Sequence, residues 1–168
     1  IVPIWSRSKP VTTVAMMILY DQGKFELNDN LSDYLSEYKN MMCKNEDAIE
    51  PCKNQIKIID LLTHRSGFGY YSDVYGINRF ISEPSPLFKY MNTYFYDDLN
   101  EFSLAVSKQT LEFEPGKHYF YGLNQDILGR VIEVITGKTF YEFLIENLFN
   151  PLETVSYTHL RAHETRTN

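Results

Sequence analysis

Between Asp126 and Gly137 the chain carries its clearest folding instruction. Asp126, Ile127, Leu128, Val131, Ile132 and Ile135 recur at the helical period, and Gly137 follows as a stop. Such a helix has a long apolar face that other elements must cover. A second run of this kind lies near the start, where Val11, Val14, Ala15, Ile18 and Leu19 share one face of residues 10–22 and Gly23 closes it. Shorter helical pieces are predicted at Leu31 to Tyr34 and at Ile56 to Thr63, the latter ending at the Ser66-Gly67 turn. Asp97 or Asp98 caps a helix through about Ser107, with Phe102, Ala105 and Val106 inward. Thr139 caps another, with Phe140, Phe143 and Leu144 apolar, ending before Pro151. Residues 39–55 read as a surface loop, residues 68–97 as loops with one or two short helices, and Glu114 to Lys117 as a turn.

The balance of the 168 residues suits one folded domain: 43% are hydrophobic and 23% charged. A net charge of −6 argues against nucleic acid or an anionic membrane surface as the main partner. No apolar run approaches the roughly 18 residues of a transmembrane helix. The chain opens on Ile1 rather than methionine and is read as cut at its N-terminus, so export and a cytoplasmic location both stay open. Cys43 and Cys52 are the 2 cysteines. A small disulfide loop and a pair of free surface thiols are both compatible with their setting. A zinc site is not, since no second Cys or His pair stands at matching spacing.

Residues 153–168 break the pattern, with no apolar period and many Thr, Arg and His. They are read as a non-native, adapter-derived tail following a domain of residues 1–152. His159 and His163, spaced like helical metal ligands, fall in that tail and are set aside with it. No metal and no cofactor is expected.

The chemistry centres on Ser6 and Lys9, three residues apart where the first helix begins. One turn of helix brings a lysine over a serine on the same face. The helix N-terminus favours negative charge developing on the serine oxygen. Ser-x-x-Lys alone is a weak signal, and Ser36 to Lys39 is a second match in an acidic stretch without such a helix. Tyr121 stands just before the strong helix. A tyrosine meeting the lysine could share or lose its proton, because a nearby ammonium favours the phenolate, and could act as general base for the serine. With 13 tyrosines in the chain, packing alone is the competing explanation.

Longer blocks carry a resemblance. Ser6-Arg7-Ser8-Lys9-Pro10-Val11-Thr12 resembles a Ser-x-Thr-Lys-Pro-Val-Thr nucleophile motif, and Gly23 to Asp29 resembles Gly-Lys-Leu-x-Leu-Asp-Asp. Leu61 to Phe68 resembles Leu-Leu-Thr-His-Thr-Ser-Gly-Leu. Phe113 to Gly116, Tyr121 to Gly137 and Phe149 to Leu152 match further blocks in order. Together they resemble the serine β-lactamase and penicillin-binding-protein superfamily, and within it the class C-like, esterase-containing β-lactamase-related group. The resemblance covers about residues 1–152. It implies an α+β fold, of which this chain is a mostly helical part lacking most of the antiparallel sheet.

It also implies a metal-independent serine hydrolase acting through an acyl-enzyme on a small-molecule ester, amide or lactam carbonyl. Ser6 is then the nucleophile, Lys9 its partner and Tyr121 the base, with His64 structural and His118 a turn residue. Where penicillin-recognising members carry Tyr-x-Asn, this chain has Leu123 in the third position and Asn124 one later, which points to the esterase-like members. A D-alanyl-D-alanine carboxypeptidase, a class C β-lactamase and a non-catalytic homologue binding peptidoglycan or another partner are the alternatives. The family's Lys-Thr-Gly or His-x-Gly block, expected to supply an oxyanion donor, does not occur in the chain. Loss of such a donor costs roughly two to three orders of magnitude in rate, so the chain alone is expected to be inactive. Oligomeric state is left open.

Overall fold

A computed structural model describes residues 5–46, 48–69 and 96–154. Its hub is the helix expected from the strongest periodic run. This helix, Asn124–Thr136, buries Ile127, Leu128, Val131 and Ile132, and ends at Gly137 in the left-handed conformation at φ 68°. Packed on it are the helices Lys9–Asp21, Ile58–Leu62, Leu99–Val106 and Phe140–Leu144. In chain order these are α1 (Lys9–Asp21), α2 (Ile58–Leu62), α3 (Leu99–Val106), α4 (Asn124–Thr136) and α5 (Phe140–Leu144).

A 3-10 turn, Trp5–Ser8, leads into α1. Pro10 sits in the first helical turn, where its missing N–H breaks no helical bond. The inward stripe of α1 is Thr12, Ala15, Met16 and Leu19, with Val11 and Ile18 packed at its edges. Val14, expected on this face, is 43% exposed. At about 100° per residue it points nearly opposite to Met16, and the flexible methionine takes the inner position instead.

The capping residues read from the sequence act as expected. Asp98 accepts the Glu101 N–H at 2.7 Å to start α3. Leu99, Phe102, Ser103 and Val106 form its buried side, while Ala105 is only half-buried. Thr139 accepts the Glu142 N–H at 3.2 Å, and the Glu142 carboxylate accepts from the Thr139 N–H in return, a reciprocal box that starts α5. A π-helical turn, Ile145–Phe149, extends α5 toward Pro151.

Residues 39–55 are not simply a loop. They contain an antiparallel hairpin of β1 (Met42–Asn45) and β2 (Ala48–Pro51), with Cys43 opposite Glu50. Cys43 and Cys52 form a disulfide, closing one of the two readings the sequence left open. Glu114 lies beside the two sulfurs, but a disulfide offers no thiolate to a metal. β2 is exposed along its length, so hydrophobic alternation could not announce it. What holds the hairpin is distant: the Lys44 N–H donates to the Leu111 carbonyl at 2.9 Å and the Leu111 N–H to the Met42 carbonyl at 2.8 Å.

The chain is therefore α+β, mostly helical, with this two-stranded sheet among the described residues. No helix among them is long and apolar enough to cross a membrane. Most of the loop region expected over 68–97, and the tail from 155, lie outside the described residues. Breaking the disulfide with paired Cys43→Ser and Cys52→Ser should lower unfolding free energy by about 2–3 kcal/mol, because the crosslink closes a short loop. Denaturant melts of oxidised and variant protein give the difference directly.

Candidate active site

Ser6 lies on the 3-10 turn, and Lys9, the first residue of α1, follows one turn later. The Lys9 ammonium donates to Ser6 Oγ at 3.4 Å. Ser6 is exposed and Lys9 half-buried, which leaves the serine oxygen open to solvent while its partner is anchored. Tyr121 arrives from the segment before α4. Lys9 Nζ stands 4.8 Å from the centre of its ring. The three residues nominated from the sequence thus meet around one ammonium. Ser36 opens a separate one-turn helix, Ser36–Tyr38, and the Lys39 carbonyl accepts from Gln55.

Backbone contacts hold Tyr121 in place. The Phe120 N–H donates to the His64 carbonyl at 2.8 Å. Gly122 packs directly on the chain at residues 68–69: a methyl on its Cα would stand 2.3 Å from the Phe68 carbonyl oxygen. Only glycine fits there. Reciprocally, a methyl on Gly69 would meet the Phe120 ring at 2.8 Å. Residues 64–69 and 120–122 therefore form one tight joint.

Polar side chains complete the joint. Asn124 and Ser66 are both fully buried. Ser66 Oγ donates to Asn124 Oδ1 at 2.5 Å and accepts the Phe68 N–H at 3.1 Å. Asn124 Nδ2 lies 2.9 Å from His64 Nδ1. With its oxygen committed to Ser66, the Asn124 amide presents a donor to His64, so Nδ1 accepts and the proton resides on Nε2. Burial and then the charge of Lys9 hold the imidazole below its ordinary value of 6.5. Its ring lies against Tyr121, centroids 4.9 Å apart and planes tilted by 34°.

Leu123 is fully buried in the apolar core, so it offers nothing to a substrate amide. Asn124, one residue on, is committed to His64 and Ser66. His118 is exposed, its ring edge-on to Phe113 at 5.2 Å. The importance of Asn124 was not visible in the sequence, because its partners lie about sixty residues away. The one available signal was its place: a polar residue opening a strongly apolar helix.

The Beta-lactamase family profile matches residues 1–166, and the chain belongs to that family. The lovastatin esterase of Penicillium rubens is 30% identical over 155 residues, covering 88% of this chain and 36% of that protein. Among solved structures, EstCE1, described as a hydrolase with promiscuous acyltransferase activity, superposes with a TM-score of 0.62 at 24% identity, over 87% of this chain and 36% of its own. A D-stereospecific amidohydrolase from Streptomyces superposes at 0.68 with 18% identity, over 90% of this chain and 42% of its own. The chain spans about a third of the length of the curated relatives it matches.

Two stability results follow from the joint. Gly122→Ala should cost about 1–3 kcal/mol by overpacking, measured as a lowered denaturation midpoint. Because the folded His64 resists a proton that the unfolded chain accepts, stability should fall as pH drops through 6.5 toward the lower folded value. His64→Gln should flatten that slope in melts recorded across the same pH range.

Proposed function

We propose that this chain carries the nucleophile, its lysine partner and the base of a serine hydrolase that acts through an acyl-enzyme on small-molecule carboxylic esters. The observation that carries this reading is the meeting of Ser6, Lys9 and Tyr121 around the Lys9 ammonium, at 3.4 Å to the serine oxygen and 4.8 Å to the phenol ring.

In this mechanism the Tyr121 oxygen, as phenolate beside the ammonium, takes the proton from Ser6 Oγ as that oxygen attacks the substrate carbonyl carbon. The tetrahedral intermediate collapses, the C–O bond to the leaving alkoxide breaks, and Tyr121 passes the proton to it. Ser6 is left as an ester. Water then attacks that ester, gives its proton to Tyr121, and the acid departs as Ser6 Oγ recovers the proton. Each proton moves by general acid–base transfer, so Lys9 stays charged throughout. Its fixed positive charge supports negative charge on either oxygen.

An ester substrate is favoured over a lactam for two reasons. Leu123 and Asn124 are turned into the core and the joint, leaving neither to hold a substrate amide. A relative at 30% identity is named an esterase. In the intact protein, Ser6→Ala should abolish labelling by a fluorophosphonate probe, and Tyr121→Phe should lower kcat by roughly two to four orders of magnitude. Short-chain nitrophenyl esters should be hydrolysed much faster than a chromogenic cephalosporin. Undiminished labelling of Ser6→Ala removes the serine from the mechanism, and faster cephalosporin turnover reverses the substrate assignment.

A further inference from the structure

Half-buried against the Tyr121 ring, His64 is a titratable side chain that takes no part in the acyl-transfer steps above. Its surroundings are built rather than incidental. It follows α2 with φ at 55°, the left-handed region that a non-glycine residue rarely occupies. Its carbonyl receives the Phe120 N–H at 2.8 Å, one residue before Tyr121. Its ring lies 4.9 Å from the Tyr121 ring and 5.9 Å from that of Tyr119. Behind it the hydrogen bonds run in one direction: the Phe68 N–H to Ser66 Oγ, Ser66 to Asn124 Oδ1, and Asn124 Nδ2 to His64 Nδ1. The last acceptor in that series is the imidazole.

We infer that His64 is a positioning residue for Tyr121, locked by Asn124 and Ser66 as the neutral Nε2–H tautomer so that Lys9 remains the cation that the phenol faces. This rests on the reading of Tyr121 as the base. Among the described residues, the titratable groups facing His64 are Lys9 from α1, with Tyr119 and Tyr121 from the segment before α4. A proton on Nδ1 would set an imidazole N–H against the Asn124 amide N–H, two donors with no acceptor between them. It would also put a second cation near Lys9 and against the Tyr121 ring. The burial and the Lys9 charge that already disfavour protonation act in the same direction as the lock.

The lock is tested by giving His64 an acceptor. Asn124→Asp keeps the shape, accepts from Ser66 on one oxygen, and accepts from a protonated Nδ1 on the other. Ser66→Ala is the milder variant, which frees the Asn124 amide to turn its oxygen toward His64. Nitrogen NMR of the imidazole should show the Nε2–H tautomer in the wild type. In whichever variant folds, the His64 titration midpoint should rise by about one pH unit or more. In the intact protein the acid limb of the kcat profile for a nitrophenyl ester should rise with it, while KM changes less than about threefold.

An Nδ1–H tautomer in the wild type, or an unmoved His64 midpoint in both variants, overturns the lock. A raised midpoint with an unmoved acid limb overturns the positioning role, since a merely structural contact would change stability and leave that limb in place. Tyr121→Phe separates the two readings. If that variant hydrolyses ester as fast as wild type, the base assignment fails, and the positioning role with it. The NMR titration still decides the lock by itself.

Discussion

The close approach of Gly122 to the backbone of residues 68–69 is the constraint on which the candidate site depends. At 2.3 Å from the Phe68 oxygen there is no room for a β-carbon, so the chain can pass there only as glycine. That contact fixes where Tyr121 leaves the joint and where α4 begins. Asn124, in the first turn of α4, then reaches back to His64 and Ser66. A buried amide left without these partners would cost on the order of 1–3 kcal/mol. Packing and hydrogen bonding therefore select the same arrangement, and the tyrosine ring is delivered to Lys9 as a consequence.

Electrostatics near Tyr121 centres on Lys9, because the buried polar side chains of the joint, Ser66 and Asn124, are neutral. Both are fully buried, and the burial of His64 together with the Lys9 charge disfavours a proton on its imidazole. Lys9 is anchored by the first turn of α1, half-buried and directed at both the serine oxygen and the phenol ring. An ammonium so placed acts with less screening than one in open water. The proposed chemistry therefore turns on one charge whose position is set by helix geometry.

The hairpin is tied to the same region from the other side. Its β1 strand pairs with Leu111, three residues before Glu114. Glu114 is buried, and its carboxylate accepts the backbone N–H groups of Lys53 and Asn54, just past the disulfide. Burial pushes that carboxyl up, but these N–H donors, the Asn45 side chain and Lys117 outweigh it and hold the group below the ordinary carboxylate range. The Pro115-Gly116 turn is thus pinned at its start by Glu114 and at its end by the Gly116 N–H bond to the Arg65 carbonyl at 2.8 Å. The segment carrying Tyr121 is restrained at several points along its length.

What the sequence determined by itself was whatever lies within one turn or one helix. The α4 period, the Asp98 and Thr139 caps, the Gly137 stop and the Ser6–Lys9 spacing are all local, and all can be read without knowing what they pack against. Tyr121 could be nominated from its place just before α4 and from the resemblance, with packing as the competing explanation for any one of the 13 tyrosines. Tertiary structure alone decided the rest. The rotation of α1 that exposes Val14, the hairpin held by Leu111, the pairing of Cys43 with Cys52, and the His64–Asn124–Ser66 lock all join positions distant in the chain or depend on what faces them. Such contacts leave no periodic trace, because their energy comes from burial and mutual satisfaction of polar groups, which exist only once the segments have met.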